Sequence, residues 1–243
     1  MLFLAATIAI IASLVSLLMG KRLTHKERVL MFSIISIPII FATLYLGAYT
    51  VNQNFESVTG GPVHWHADYQ VWVCDERLDL INPRFPSNKV GTPLLHEHND
   101  DRIHLEGTLM RLEDTSLGTY FHVIGGRLTA TSISFPTNEQ GIVTRVNNDL
   151  CDGQPSTLKV FVNGQRIINP AEYIMYPHES VPPGDCIIFE FSPGDAQTTN
   201  RMCESWRASQ SGDRPYTYEN YQENREEYHY YVNDLREEQH LGR

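Results

Sequence analysis

Five of the chain's 10 histidines lie between positions 64 and 104, as His64-Trp65-His66, His96-Glu97-His98 and His104. In an extended strand, residues two apart point to one face, roughly 6–7 Å from each other, so each His-x-His pair can turn two rings toward one ion. A single pair arises readily by chance, and a lone buried histidine is more often a core residue with satisfied hydrogen bonds. Two pairs and a fifth ring make a metal site the better account, with His64, His66, His96, His98 and His104 as candidate ligands. Asp68, Asp100, Asp101 and Glu106 are the carboxylates at hand to ligate the ion or to orient the rings. We expect His64, His66, His96 and His98 to be brought together by direct pairing of their two segments. His104 then enters from the adjacent strand and shares its face with Glu106.

The ligand types narrow the metal. Imidazole and carboxylate without a methionine cluster, and without a thiolate that is not spoken for below, disfavour Cu(I) as sole cargo and leave Cu(II) and Zn(II). A copper or zinc ion admits three uses. The chain handles the metal or supports a membrane metalloenzyme; or three histidines hold the ion while water takes an open position and Asp68 or Glu106 acts as general base; or the ion staples a hairpin in an interaction subunit. The binding protein is the leading reading, a metal-dependent enzyme the alternative.

The segments that must carry these residues read as strands. His64 to Cys74 alternates with period two, placing His64, His66, Asp68, Gln70 and Trp72 on one face and Trp65, Ala67, Tyr69, Val71 and Val73 on the other, inward face. Thr157 to Ile168 has the same shape around Asn163-Gly164, a type I′ hairpin signal. Leu95 to Glu106 in turn parallels Tyr176 to Glu190, where His178 is the single histidine. These likenesses predict a mainly β domain built from two hairpin units, β-grasp-like in outline and related by duplication. The metal chemistry is confined to the first. Ser116 to Ile124 predicts a short helix capped by Thr115 or Ser116, with His122 on its surface. Tyr218, Tyr221, Arg225, Tyr228, Tyr231, Val232 and Leu235 recur at helical spacing and predict an amphipathic C-terminal helix lying on the domain or a partner.

Ahead of the domain, residues 1–20 carry no charge and Val29 to Tyr49 is apolar again, each long enough to cross a bilayer. Lys21, Arg22, Lys26 and Arg28 crowd the connection, against a single acid, Glu27. The positive-inside rule places that loop in the cytoplasm and the rest of the chain outside. A cleaved signal peptide would carry its basic residues before the apolar run rather than after it. The expected organisation is a transmembrane hairpin (1–50), a linker (51–62), the histidine-rich unit (63–150), a second hairpin unit (151–194) and a polar tail (195–243). The localisation is the cell membrane with the C-terminal domain extracytoplasmic, and a membrane protein complex is a candidate partner.

An oxidising exterior permits disulfides, and all four cysteines fall in it without a Cys-x-x-Cys pattern. Four cysteines allow three connectivities. We expect Cys186 with Cys203, closing the segment that leaves the last strand, and Cys74 with Cys151, stapling the two halves. Removing the charges of residues 21–28 leaves 15 basic against 28 acidic residues outside, which rules against nucleic acid and anionic lipid as partners.

His64-Trp-His-Ala-Asp68, Thr92-Pro-Leu-Leu-His-Glu-His98, Arg102-Ile-His-Leu-Glu106, Ser116-Leu-Gly-Thr-Tyr-Phe121 and Leu158-Lys-Val-Phe-Val-Asn-Gly164 occur in that order. The set resembles an uncharacterised family of extracytoplasmic, membrane-anchored His-x-His proteins of archaea and bacteria over roughly residues 60–190. The resemblance implies a shared metal-binding fold and no established activity; Tyr120 stands where the family usually has Phe. The metallo-β-lactamase pattern His-x-His-x-Asp-His fails at Tyr69; a cupin-like oxidoreductase or hydrolase, with His-x-His, a later Glu and a Pro-x-Gly-Asp turn, is the better enzyme rival, although its Gly and Glu do not fall at the usual distances.

Overall fold

The computed structural model describes residues 2–19, 23–175 and 184–203. The chain divides into two compact units, Met1–Glu56 and Ser57–Arg243.

The first unit consists of helices α1 (Leu2–Met19) and α2 (His25–Glu56), which pack against each other. The start of α2 is a capping box. Glu27 Oε2 accepts from Thr24 N at 2.7 Å, and Glu27 N donates back to Thr24 Oγ1 at 3.4 Å. Among the described residues, α2 is long and apolar enough to cross a membrane, whereas the apolar stretch of α1, Ala6–Leu18, is shorter. Six residues read as linker, Val51 to Glu56, continue α2. They include neither Gly nor Pro, so nothing stops the helix before the turn ahead of Gly60. That turn is tied down: Ser57 Oγ and Val58 N both donate to Leu109 O, at 2.9 and 3.0 Å.

The second unit is sheet-rich. Its strands are β1 (Pro62–Val73), β2 (Glu76–Leu78), β3 (Val90–Gly91), β4 (Leu95–Glu97), β5 (Arg102–Thr108), β6 (Arg127–Leu128), β7 (Ser132–Thr137), β8 (Gly141–Val146), β9 (Leu150–Cys151), β10 (Gln154–Val162), β11 (Gln165–Ile167) and β12 (Asp185–Pro193). Nine of them make one mixed sheet in the order β11-β10-β12-β1-β5-β4-β3, with β2 also on β1 and β9 on β10. β1 and β12 run parallel and the other pairs antiparallel. Strands β6, β7 and β8 form a separate antiparallel sheet.

Both predicted hairpins form, yet they belong to one continuous sheet, and their pairing does not repeat. On β1 the hairpin partner β2 and the returning strand β5 share the edge opposite β12, while β11 and β12 flank β10 on opposite edges. Each hairpin turns on two residues with positive φ: Asn163 and Gly164 at one, Cys74 and Asp75 at the other. This is the type I′ backbone that matches strand twist.

One face of the large sheet carries the main core, where Trp65, Ala67, Tyr69, Val71 and Val73 join Ile103, Leu105, Ile187 and Phe189. Helix α3 (Leu117–Val123), capped by Ser116 Oγ accepting from Thr119 N, adds Tyr120 and Phe121 to it, and β7 adds Phe135. Phe121 meets Phe189 edge-on at a ring separation of 5.0 Å. His122 lies exposed on the helix surface, as expected. The other face is also partly covered, by a smaller cluster of Phe161, Ile188, Cys186 and Cys203 packed with Trp72. Both expected disulfides are formed, Cys74–Cys151 and Cys186–Cys203. His178 and the predicted C-terminal helix fall outside the described residues.

Candidate metal centre

The histidines do not meet through direct pairing of their two segments. β5 lies between them. The 98–101 turn, where Asn99 and Asp101 have positive φ, folds β4 back on β5, and the free edge of β5 pairs with β1. The register then sets His66 opposite His104, and His104 opposite His96. Three rings thus form a row across three adjacent strands, with His104 in the middle. One step away, His64 stands opposite Glu106.

Ring centroids along the cluster are 4.7 Å apart for His64–His66 and for His66–His104, 5.6 Å for His104–His96, and 4.8 Å for both His104–His98 and His96–His98. All five candidate rings are therefore contiguous. The tightest group is His64, His66 and His104, whose ligand atoms lie within 4.8 Å of one another and could hold an ion.

Burial is graded across the site. The His64 side chain is 63% exposed and that of His104 11%, while His66 is 7% exposed and His96 0%. Among the described residues, His66 Nδ1, His104 Nδ1 and both ring nitrogens of His96 are buried without a hydrogen-bond partner. Buried polar atoms in folded proteins are ordinarily satisfied, so three rings with such nitrogens in one cluster fit a group that accepts lone pairs, one from each neutral ring. Burial, then the neighbouring His104 and His64, pushes His66 down from 6.5 to about 4. Burial, then Lys89, pushes His96 down to about 4 as well. Both rings are neutral at pH 7, the form that binds metal.

The outer contacts orient the rings. His104 Nε2 donates to Asp100 Oδ2 at 2.9 Å, which leaves Nδ1 as its ligating atom. His98 Nδ1 lies 2.6 Å from the Asn88 carbonyl oxygen, which leaves Nε2. Of the carboxylates singled out in the sequence, Glu106 is in the cluster itself, 3.1 Å from His64 Nε2 and 3.7 Å from His96 Nε2. Asp68 instead accepts from Arg102 at 2.6 Å, and Asp101 is paired with Arg77. Arg102 is the residue opposite Asp68 in the ladder and Arg77 is near the start of β2, so each acid is drawn to a cation beside it. Of the two adjacent acids, Asp100 rather than Asp101 meets a ring.

Two neighbours were not anticipated. The Asn88 carbonyl is a backbone group in a loop, with no side-chain signal. Glu97 had one: between two histidines that share a face, alternation must send it to the core. It is 2% exposed, and burial pushes its carboxyl up from 4.5 to about 7.

No protein-family model, curated protein or solved structure matches the chain.

Proposed function

We propose that this chain is a membrane-anchored, extracytoplasmic metal-binding protein that serves copper or zinc handling or supports a membrane metalloenzyme. The observation that carries the reading is the convergence of His64, His66 and His104 with buried, unpartnered imidazole nitrogens. The donor set of imidazole and carboxylate suits Cu(II) and Zn(II). The apolar length of α2, the basic residues ahead of it and two disulfides support the anchored, extracytoplasmic placement. So does the resemblance to extracytoplasmic His-x-His proteins.

The test is metal analysis by mass spectrometry of the full-length chain purified in detergent and loaded separately with Cu(II) and Zn(II). Bound metal is expected in stoichiometric amount, reduced by His66→Ala and unaffected by His122→Ala or His178→Ala. Retention of a full complement by the double variant His66→Ala with His98→Ala would sink the site. For the topology, Thr24→Cys is expected to resist a membrane-impermeant thiol reagent in intact cells, and Glu139→Cys in an exposed turn is expected to react.

A second reading rests on the exposure of His64. An ion held by three histidines with one side open to solvent, and Glu106 beside it as base, is the arrangement of a metal-dependent hydrolase. Metal-dependent ester or phosphoester hydrolysis abolished by Glu106→Gln would favour it.

A further inference from the structure

We infer that the cluster holds two ions side by side along the row His66, His104, His96, bridged by the Glu106 carboxylate; the inference rests on the metal-binding reading above. His66 and His96 stand on β1 and β4 with β5 between them. The row therefore has two gaps, one on either side of His104, and their centres are one strand spacing apart, about 4.7–4.9 Å at the backbone. That is near the ~3.5–4 Å separation of two-metal sites.

The donors divide between the two gaps. His64 and His66 flank the first, and His96 and His98 the second, with nearly equal ring separations of 4.7 and 4.8 Å. Five imidazoles and a carboxylate exceed the four ligands that a single tetrahedral ion takes. His96 is the decisive residue, since it is wholly buried, has neither nitrogen in a hydrogen bond among the described residues, and is not part of the His64, His66, His104 group.

Glu106 joins the halves. Its Oε1 lies 3.1 Å from His64 Nε2 and 3.9 Å from His104 Nδ1, while Oε2 lies 3.7 Å from His96 Nε2. Two ligand atoms on one tetrahedral ion with bonds of about 2.0–2.1 Å sit about 3.3 Å apart. The Oε1–His64 and Oε2–His96 distances are thus within a few tenths of an ångström of sharing an ion, and the two oxygens face histidines on opposite sides of the row.

The experiment titrates the full-length chain, stripped of metal and held in detergent, with Cu(II), following bound copper by mass spectrometry and spin by electron paramagnetic resonance. Two copper ions per chain are expected, with the signal rising over the first equivalent and falling over the second as the bridge couples the spins. His96→Ala should bind one ion with an uncoupled signal; His98→Ala makes the same test if that variant does not fold. Glu106→Gln should abolish the coupling. Saturation of the wild type at one ion overturns the inference and leaves the metal-binding reading standing, whereas no bound ion overturns that reading itself. Two ions that are uncoupled, or that survive both His96→Ala and His98→Ala, also overturn the inference.

Discussion

His66 and His96 are buried neutral imidazoles, and their burial has a cost that depends on acidity. Their protonation is pushed down to about 4 by burial, from 6.5 in the unfolded chain. Below pH 6.5 the unfolded chain takes up protons that the folded one refuses, so stability falls as pH drops toward 4. Glu97 works in the opposite sense. Its carboxyl is raised to about 7, so the stability it contributes is present below 4.5 and is lost as pH rises through 7. Two histidines against one glutamate make the metal-free protein less stable at pH 4.5 than at pH 6.5. Urea unfolding at the two values is the measurement; Glu97→Gln should steepen the dependence, and an unchanged midpoint in the wild type would contradict the burial of the two rings. Residue types and spacing were enough to find the five histidines and Glu106. They did not separate Asp100 from Asp101, because that choice depends on which side of one tight turn each side chain leaves and on where Arg77 stands.

At the scale of elements, the alternation of β1 and β10, the Asn163-Gly164 turn and the cap of α3 could be read directly, since each is a local property of a few residues. Strand order could not. Nothing within His96 to His98 says that β5 will lie between it and β1; that follows from the edge left open once the β4–β5 hairpin has closed. Parallel β12 is likewise a long-range partner, and it approaches closely at the site. A Cβ on Gly184 would lie 1.8 Å from the carbonyl oxygen of His66, a contact that only glycine permits. Gly184→Ala must move the start of β12 away from β1 and shift the His66 backbone with it. Such a core clash costs roughly 1–3 kcal/mol. The expected outcome is a variant that keeps both disulfides, unfolds at lower temperature and binds Cu(II) at least 10-fold more weakly; wild-type affinity would show that β12 does not position His66.

For the whole molecule, the two disulfides differ in how much chain they enclose, 77 residues for Cys74–Cys151 and 17 for Cys186–Cys203. In the chain-entropy account these close the unfolded ensemble by roughly 4–5 and about 3 kcal/mol. The larger loop also fixes how the site is distributed along the covalent chain. His64 and His66 precede Cys74, and His96, His98 and His104 lie inside the loop. Arg84 is exposed between the two groups. A trypsin cut after Arg84 therefore divides the candidate ligands between two polypeptides that remain one molecule through Cys74–Cys151. The nicked protein should migrate as a single species without reductant and as two with it. Loaded with Zn(II), it is expected to keep the ion until the disulfide is reduced with a phosphine, which neither reduces Zn(II) nor ligates it as a thiol does; the ion then leaves cut chains and stays on intact ones.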